Sequence, residues 1–179
     1  MSAPSVERPR VIRRKLMVPD TAVGAVPRER LDALLCQLID AHRVVAVTAT
    51  AGSGKSVAVA HASRKFDRPV AWLSVDATDA APGRLVTYLE EALAQQLPSV
   101  RGIATGALTA GIPHAEAAGL LVEAAADAQI VFVLDDLERL HGSLPASEVI
   151  SSVVRYGPDR KSTCLNSSHA LTSRMPSSA

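Results

Sequence analysis

Aromatic residues are scarce in this sequence, at 3% of 179 residues. The core must therefore be built from Val, Leu, Ile and Ala, which the hydrophobic content of 47% supplies. An excess of charge of one sign is also lacking, because the formal net charge is +1. No global field would draw such a chain to nucleic acid or to a membrane surface, and no basic DNA-binding face is visible.

Cysteines and long apolar runs are few as well. Cys36 and Cys164 lack metal-ligand spacing, and Cys36 falls inside an apolar helical pattern, where we expect a buried, reduced thiol. The longest apolar run, 130–134, is too short to span a bilayer. The basic N-terminus has no apolar core after it, which excludes a signal peptide. A cytoplasmic protein without membrane contact is the expectation.

Strand and helix patterns alternate along the chain. Short apolar runs at 44–47, 70–75 and 130–134 are typical of buried strands. Helical patterns follow Pro27, occupy 57–62, run from Pro82 to Leu93 with Thr78 or Asp79 as the cap, and recur at 115–128 and 146–156. Residues 98–113, rich in Gly, Ala and Thr, are predicted to form a loop. This alternation predicts an α/β fold in which helices cover both faces of a parallel sheet.

A glycine-rich loop between a predicted strand and a predicted helix carries the first chemical signal. A turn through Gly52 and Gly54 lets backbone N–H groups converge on a phosphate at a helix N-terminus. Lys55 would reach the β- and γ-phosphates of a nucleotide, and the Ser56 hydroxyl would bind Mg²⁺. The strict phosphate-loop pattern has glycine where this sequence has Ala49, but the strand before the loop and the helix after it support the assignment. The predicted nucleotide contacts are Ala51, Gly52, Ser53, Gly54, Lys55, Ser56 and Val57.

Two acids follow the apolar strand at 130–134. Asp135 would hold Mg²⁺ through water, and Asp136 would orient or activate the attacking water. An apolar strand that ends in Asp is common, and alone it would indicate only a cap for the next turn. The phosphate loop, about eighty residues upstream, favours the functional interpretation. We therefore assign Ser56 and Asp135 to Mg²⁺, and Lys55 and Asp136 to catalysis.

The order of several motifs resembles the start of the maltose-regulator-like LuxR-type transcriptional activators, which are large members of the STAND class of signalling ATPases. The motifs are Arg14-Lys15-Leu16, Val26-Pro27-Arg28, the loop 48–56, Ala71-Trp72-Leu73-Ser74-Val75-Asp76 with Asp79, Pro82 and Arg84-Leu85 after it, and Leu134-Asp135-Asp136. The resemblance covers about residues 12–158, and the Trp-Leu-Ser-Val-Asp stretch is its most specific part.

This resemblance implies a P-loop NTPase fold of the ASCE/STAND type that binds ATP or ADP with Mg²⁺. By position, Val26 and Arg28 would lie near the adenine and ribose. In such proteins the bound nucleotide sets the state of a switch, and slow hydrolysis resets it. Sensor repeats and a C-terminal helix-turn-helix complete them, so no direct DNA contact is expected from this chain. ATP-dependent self-association is expected of the full-length protein.

Two other functions stay open at this point. A P-loop kinase for a small molecule would need an arginine-rich lid, and the stretch after Asp136 offers only Arg139 before Arg155. A nucleotide-holding interaction module without turnover would lack phosphate release.

The end of the sequence departs from the pattern of strands and helices. Residues 1–20 indicate a basic leader whose prolines discourage regular structure, 21–158 the NTPase domain, and 159–179 a non-native or disordered tail. The resemblance implies a strand order of 5-1-4-3-2, so the strand after 130–134 should insert beside the one at 44–47. Only Cys164 and Leu165 are apolar there, whereas a central strand is normally an apolar run. We expect an incomplete sheet, with a gap or a poor polar substitute near 162–165, and a chain that does not unfold cooperatively.

Overall fold

Alternating strands and helices build a mixed α/β fold, as the sequence pattern predicts. The computed structural model describes residues 10–20, 28–157 and a strand at 163–167. Its parallel sheet has four strands in the order β1-β4-β3-β2. The strands are β1 Val44–Thr48, β2 Val70–Ser74, β3 Val131–Asp135 and β4 Thr163–Ser167. The helices are α1 Glu29–Ala41, α2 Lys55–Ser63, α3 Pro82–Gln96, α4 Ile103–Thr109, α5 His114–Ala124 and α6 Leu144–Tyr156.

Helices cover both faces of the sheet, and the side chains of β2 and β3 point alternately toward one helical layer and the other. Trp72, Val131 and Val133 point to a core that contains residues of α1 and α2. Their neighbours Leu73 and Phe132 point to the opposite core, which contains residues of α3, α4, α5 and α6. Successive side chains of a strand alternate between faces, so each strand contributes to two cores. Trp72 is 1% exposed and therefore belongs to the core.

The insertion of β4 confirms the predicted order of these four strands. β4 pairs with β1 from Val44↔Thr163 to Thr48↔Ser167, and with β3 from Phe132↔Thr163 to Leu134↔Leu165. Of the two alternatives, a gap or a short polar segment, the structure has the segment. The assignment of 159–179 as a tail and the incomplete sheet stay predictions.

The loop predicted at 98–113 is wrong. A short 3-10 turn at Pro98–Val100 leads into α4, Ile103–Thr109. The buried Glu90 of α3 accepts hydrogen bonds from the backbone N–H groups of Gly102, Ala104 and Thr105 at 3.0, 2.7 and 2.9 Å. A carboxylate thus caps this helix from twelve or more residues away in the chain, where no local pattern could indicate it.

The predicted cap of α3 is also wrong. Thr78 and Asp79 belong to a separate 3-10 turn, Ala77–Ala80, which Asp76 caps with its side chain. The helix itself begins with Pro82 after Ala81, without a side-chain cap. Cys36 likewise differs from the prediction, because it is half-buried instead of buried.

Residues 10–20 are structured, which corrects the expectation of an irregular leader. Arg13–Leu16 form a 3-10 turn in which Lys15 and Leu16 are 8% and 4% exposed. The Lys15 ammonium contacts the carboxylates of Asp76, at 3.1 Å, and of Asp79, which is fully buried. It also lies 4.3 Å from the centre of the Tyr88 ring. These contacts attach the segment to the turn that follows β2.

The contact between Lys15 and Asp76 predicts a pH dependence. Hydrogen bonds from Thr78, with Lys15 contributing, lower the pKa of Asp76 from its usual range to about 2. A lowered folded-state pKa stabilises the fold above pH 4, and this stability is lost as the pH falls from about 4 to about 2. The loss should be about 1 kcal/mol after discounting for screening, because the side chain is 49% exposed.

An NMR titration of the Asp76 carboxyl carbon measures this directly. We expect a midpoint near pH 2, and a midpoint in the ordinary range for Asp would contradict the contacts with Thr78 and Lys15.

No helix in the described ranges 10–20 and 28–157 is long and apolar enough to cross a membrane.

Candidate functional site

The loop between β1 and α2 is a tight turn that leads into a helix N-terminus. Gly52 and Gly54 have φ values of 79° and 81°, a left-handed conformation that side chains rarely adopt. The Ser53 N–H donates to the Thr50 carbonyl at 3.2 Å and closes the turn. α2 begins at Lys55, directly after Gly54, so the N-terminal end of this helix faces the loop. The geometry is therefore that of an anion-binding loop.

Two side chains of this loop carry polar groups suited to a phosphate. The Lys55 ammonium donates hydrogen bonds to the carbonyl oxygens of Ala49 and Thr50 at 3.0 and 3.1 Å, which hold it against the loop. The Ser53 hydroxyl is buried and lacks a hydrogen-bond partner among the described residues. A buried hydroxyl without a partner is costly unless a ligand supplies one. The donor set of the loop thus fits a phosphate.

The other predicted loop contacts lie at its surface. Ala51 and Gly52 are exposed, and Val57 is 39% exposed on the first turn of α2.

Ser56 and Asp135 meet across the sheet edge, as their predicted common role requires. The Ser56 hydroxyl donates to Asp135 Oδ1 at 2.8 Å, and Asp135 is 2% exposed. They meet because β1 and β3 are parallel, so the loop after β1 and the end of β3 share one edge of the sheet.

A hydroxyl and one carboxylate fit Mg²⁺, which usually takes one or two carboxylates together with waters and substrate phosphates. A metal site formed by protein ligands alone would contain more side-chain donors than these two. Within 10–20 and 28–157, the structure has no group of three or more His, Cys, Asp and Glu side chains arranged for a metal ion. The donors present therefore suit a metal that arrives with a phosphate ligand.

Asp136 stands beside this pair in an unusual backbone conformation. Its φ of 60° is the one positive value of a non-glycine residue in the described chain. Asp tolerates this region better than most residues because its short side chain bonds locally. Burial, and then the negative charge of Asp135, raise the pKa of the half-buried Asp136 carboxyl. The opposing charges of Arg139 and Lys55 do not cancel this increase.

Arg28 lies close to the loop, at the start of α1. Its Nη2 atom is 4.0 Å from the position that a β-carbon on Gly54 would occupy. The buried Asp32 holds α1 on α2, because it accepts hydrogen bonds from His61 at 2.7 Å and Lys65 at 2.8 Å. Burial would raise the pKa of Asp32, but the bonds from Lys65 and His61 outweigh it and lower the pKa. Val26 lies outside the described residues.

Comparisons with known proteins identify no family for this chain. No model of a known protein family matches it, and no curated protein matches it. Among solved structures, ten chains match. One is PCH-2 of C. elegans, with 14% sequence identity and a TM-score of 0.35, where the match covers 83% of this chain and 38% of that one. The chain thus spans less than half the length of that protein, and a TM-score this low does not establish a common fold.

Sequence reasoning missed one polar contact of this site. Ser74 ends β2 directly opposite Asp135 in the register of the sheet. Its hydroxyl oxygen lies 3.5 Å from Asp135 Oδ2 and accepts a hydrogen bond from the Trp72 indole at 2.8 Å. Two residues separated by one on a strand share a face, so the sequence did carry this signal. What it could not supply is the register that places Asp135 beside them.

Proposed function

We propose that this chain is an ATP-binding and slowly ATP-hydrolysing switch domain of a signal-responsive transcriptional regulator, with a P-loop NTPase fold of the STAND type. The observation that carries the proposal is the 2.8 Å contact between the Ser56 hydroxyl and Asp135. It joins the first residues of the helix after a glycine-rich loop to an acid at the end of another parallel strand. Loop and acid are the two halves of a Mg²⁺–nucleotide site.

Each side chain has a task in this proposal. The loop N–H groups and Lys55 bind the phosphates, and the Ser53 hydroxyl donates to one of them. Ser56 and Asp135 hold Mg²⁺, which would neutralise charge that develops on the phosphates. Asp136 orients or deprotonates the attacking water. Arg28 approaches the nucleotide from α1, with Val26 assigned to the adenine and ribose side.

The motifs shared with the STAND regulators supply the biological setting of the proposal. They assign DNA binding to a helix-turn-helix outside this chain, and ATP-dependent self-association to the full-length protein. The same setting implies a cytoplasmic protein.

Replacing Lys55 by Ala tests nucleotide binding. The substitution removes the positive charge at the phosphates and keeps a good helix former at the first residue of α2. A charge-assisted contact is worth ~1.5–3 kcal/mol, so the affinity for ATP and ADP should fall about tenfold or more. Titration with fluorescently labelled ATP measures it.

The matched control is Lys65→Ala, which removes a lysine just past the other end of α2. That side chain is 47% exposed, and Asp32 keeps its bond with His61 when Lys65 is removed, so the control should keep the parent affinity. Equal affinity of the Lys55 variant and the parent would refute the site. ATP binding without any phosphate release would favour a nucleotide-holding module, and phosphate transfer to a small molecule would favour a kinase.

A further inference from the structure

A chain of polar contacts runs from the core to the proposed metal ligand. The Trp72 indole N–H donates to the Ser74 hydroxyl at 2.8 Å, and that hydroxyl lies 3.5 Å from Asp135 Oδ2. The other oxygen of the carboxylate, Oδ1, accepts from Ser56 at 2.8 Å. The two oxygens of Asp135 therefore face two different hydroxyl groups, one from α2 and one from β2.

Donor and acceptor chemistry fixes which group donates and which accepts in each of these polar contacts. An indole N–H can only donate, so the Ser74 oxygen must act as the acceptor toward Trp72. The single proton of the Ser74 hydroxyl is then left for another acceptor. Asp135 Oδ2 is a negatively charged acceptor on the adjacent strand, in direct register with Ser74. The indole thereby orients the serine, and the serine presents its proton to the carboxylate.

Packing keeps the first member of the chain in place. Trp72 is 1% exposed and belongs to the core between the sheet and α2, together with Val59 and Val133. A large buried ring has little freedom to move, so its N–H stays at a fixed position. The serine is bonded to that fixed point, whereas a serine at a free strand end would rotate.

We propose that Ser74, oriented by Trp72, is a positioning residue that sets the direction of the Asp135 carboxylate for Mg²⁺. The proposal rests on the nucleotide site proposed above. Ligating carboxylates work best when their second oxygen is hydrogen-bonded, and loss of such a partner typically costs 10–100-fold in metal affinity. The 3.5 Å separation is long for a hydrogen bond between oxygens, so we expect the lower end of this range.

The test compares Ser74→Ala with the parent in two titrations. The first measures ATP binding in EDTA, where no metal contributes, and both proteins should bind equally. The second measures the Mg²⁺ concentration that gives half-maximal enhancement of ATP binding, which should rise about tenfold in the variant. A merely structural defect would instead weaken binding in both titrations.

Three further variants make the result specific. Ser74→Thr keeps the hydroxyl on a β-branched side chain suited to a strand, and it should restore the parent Mg²⁺ requirement. Trp72→Phe keeps the ring but removes the N–H, and it should shift the requirement in the same direction as Ser74→Ala, by less. Ser152→Ala removes a buried hydroxyl on α6 that bonds the Ala115 carbonyl, and it should leave the Mg²⁺ requirement unchanged.

The outcomes separate this inference from the proposed function. If the parent fails to bind ATP in either titration, the proposed function is wrong and this inference falls with it. If the parent binds ATP with Mg²⁺ enhancement and Ser74→Ala has the same Mg²⁺ requirement, only the role of Ser74 is wrong. The role of Ser74 would also be wrong if Ser74→Ala raised the Mg²⁺ requirement and Ser74→Thr did not restore it, because the hydroxyl would then not be the cause.

Discussion

Asp136→Asn is expected to slow ATP hydrolysis by ~10²-fold or more while ATP affinity stays within a few-fold. That loss is a common scale for removal of a general acid or base. The affinity should survive because Asp136 does not belong to the loop or to the contact between Ser56 and Asp135. Asn also tolerates the positive φ of this position, so the backbone should remain as it is.

The raised pKa of Asp136 gives this prediction a second readout. A carboxylate that acts as a base must be deprotonated, so kcat/KM for ATP, which reports the protein before Mg²⁺ and nucleotide bind, should fall as the pH falls through its pKa. Burial and the neighbouring Asp135 raise that pKa, which places the fall at a higher pH than for an exposed Asp. The Asp136→Asn variant should not show this decrease at low pH.

Glu138→Gln is the matched control, since it neutralises an acid two residues further along the same turn. Turnover of this control should stay within a few-fold of the parent in a phosphate-release assay. The role of Asp136 would be wrong if its Asn variant hydrolysed ATP at the parent rate. It would also be wrong if the control were equally slow, because a general loss of negative charge would then explain the effect.

Lys15→Met is expected to release residues 10–20 from the protein. Asp79 is fully buried, and Lys15 is one of its two cationic partners, with Arg84 at 3.2 Å as the other. Breaking a buried ion pair costs ~3–5 kcal/mol because the remaining charge is left uncompensated. Because Arg84 remains as a partner of Asp79, we expect a cost at the lower end of this range. The open state, in which residues 10–20 have detached from the protein, should then be about 10²-fold more populated.

Limited trypsin digestion measures this opening. Cleavage after Arg13 and Arg14 requires the segment to leave its 3-10 turn, and its rate follows the population of the open state when reclosing is fast. The rate at these two sites should rise about 10²-fold in the variant. Adding Asp79→Asn should slow the cleavage again, because it removes the orphaned charge.

Lys65→Met is the control for this experiment. It makes the same substitution at a lysine that also pairs with a buried carboxylate, Asp32, but on the far side of the sheet. Cleavage after Arg13 and Arg14 should stay at the parent rate. Equal acceleration by both variants would mean that the digestion reports global unfolding, and no acceleration by Lys15→Met would refute the attachment of the segment.

The sequence alone determined the strands β1, β2 and β3 and the glycine-rich loop, whereas the strand order, which the sheet confirms, was implied by a family resemblance. Apolar runs are typical of buried parallel strands, so 44–47, 70–75 and 130–134 were evident from composition. The expected burial holds for β2 and β3, whereas Val45 is the one buried residue of β1. The loop was evident because Gly52 and Gly54 stand where the chain turns with positive φ. The meeting of Ser56 with Asp135 followed from strand ends at one edge of a parallel sheet.

Tertiary structure alone decided the features that depend on distant partners. A local pattern at 98–113 indicated a loop, but Glu90 of α3 caps a helix there. Prolines and arginines at 1–20 indicated an irregular leader, but buried Asp79 offered Lys15 a partner that outweighs these local preferences. The contact between Ser74 and Asp135 needed the register of β2 on β3. Local propensities amount to tenths of a kcal/mol per residue, whereas a buried charge without a partner costs several, so the distant contact prevails.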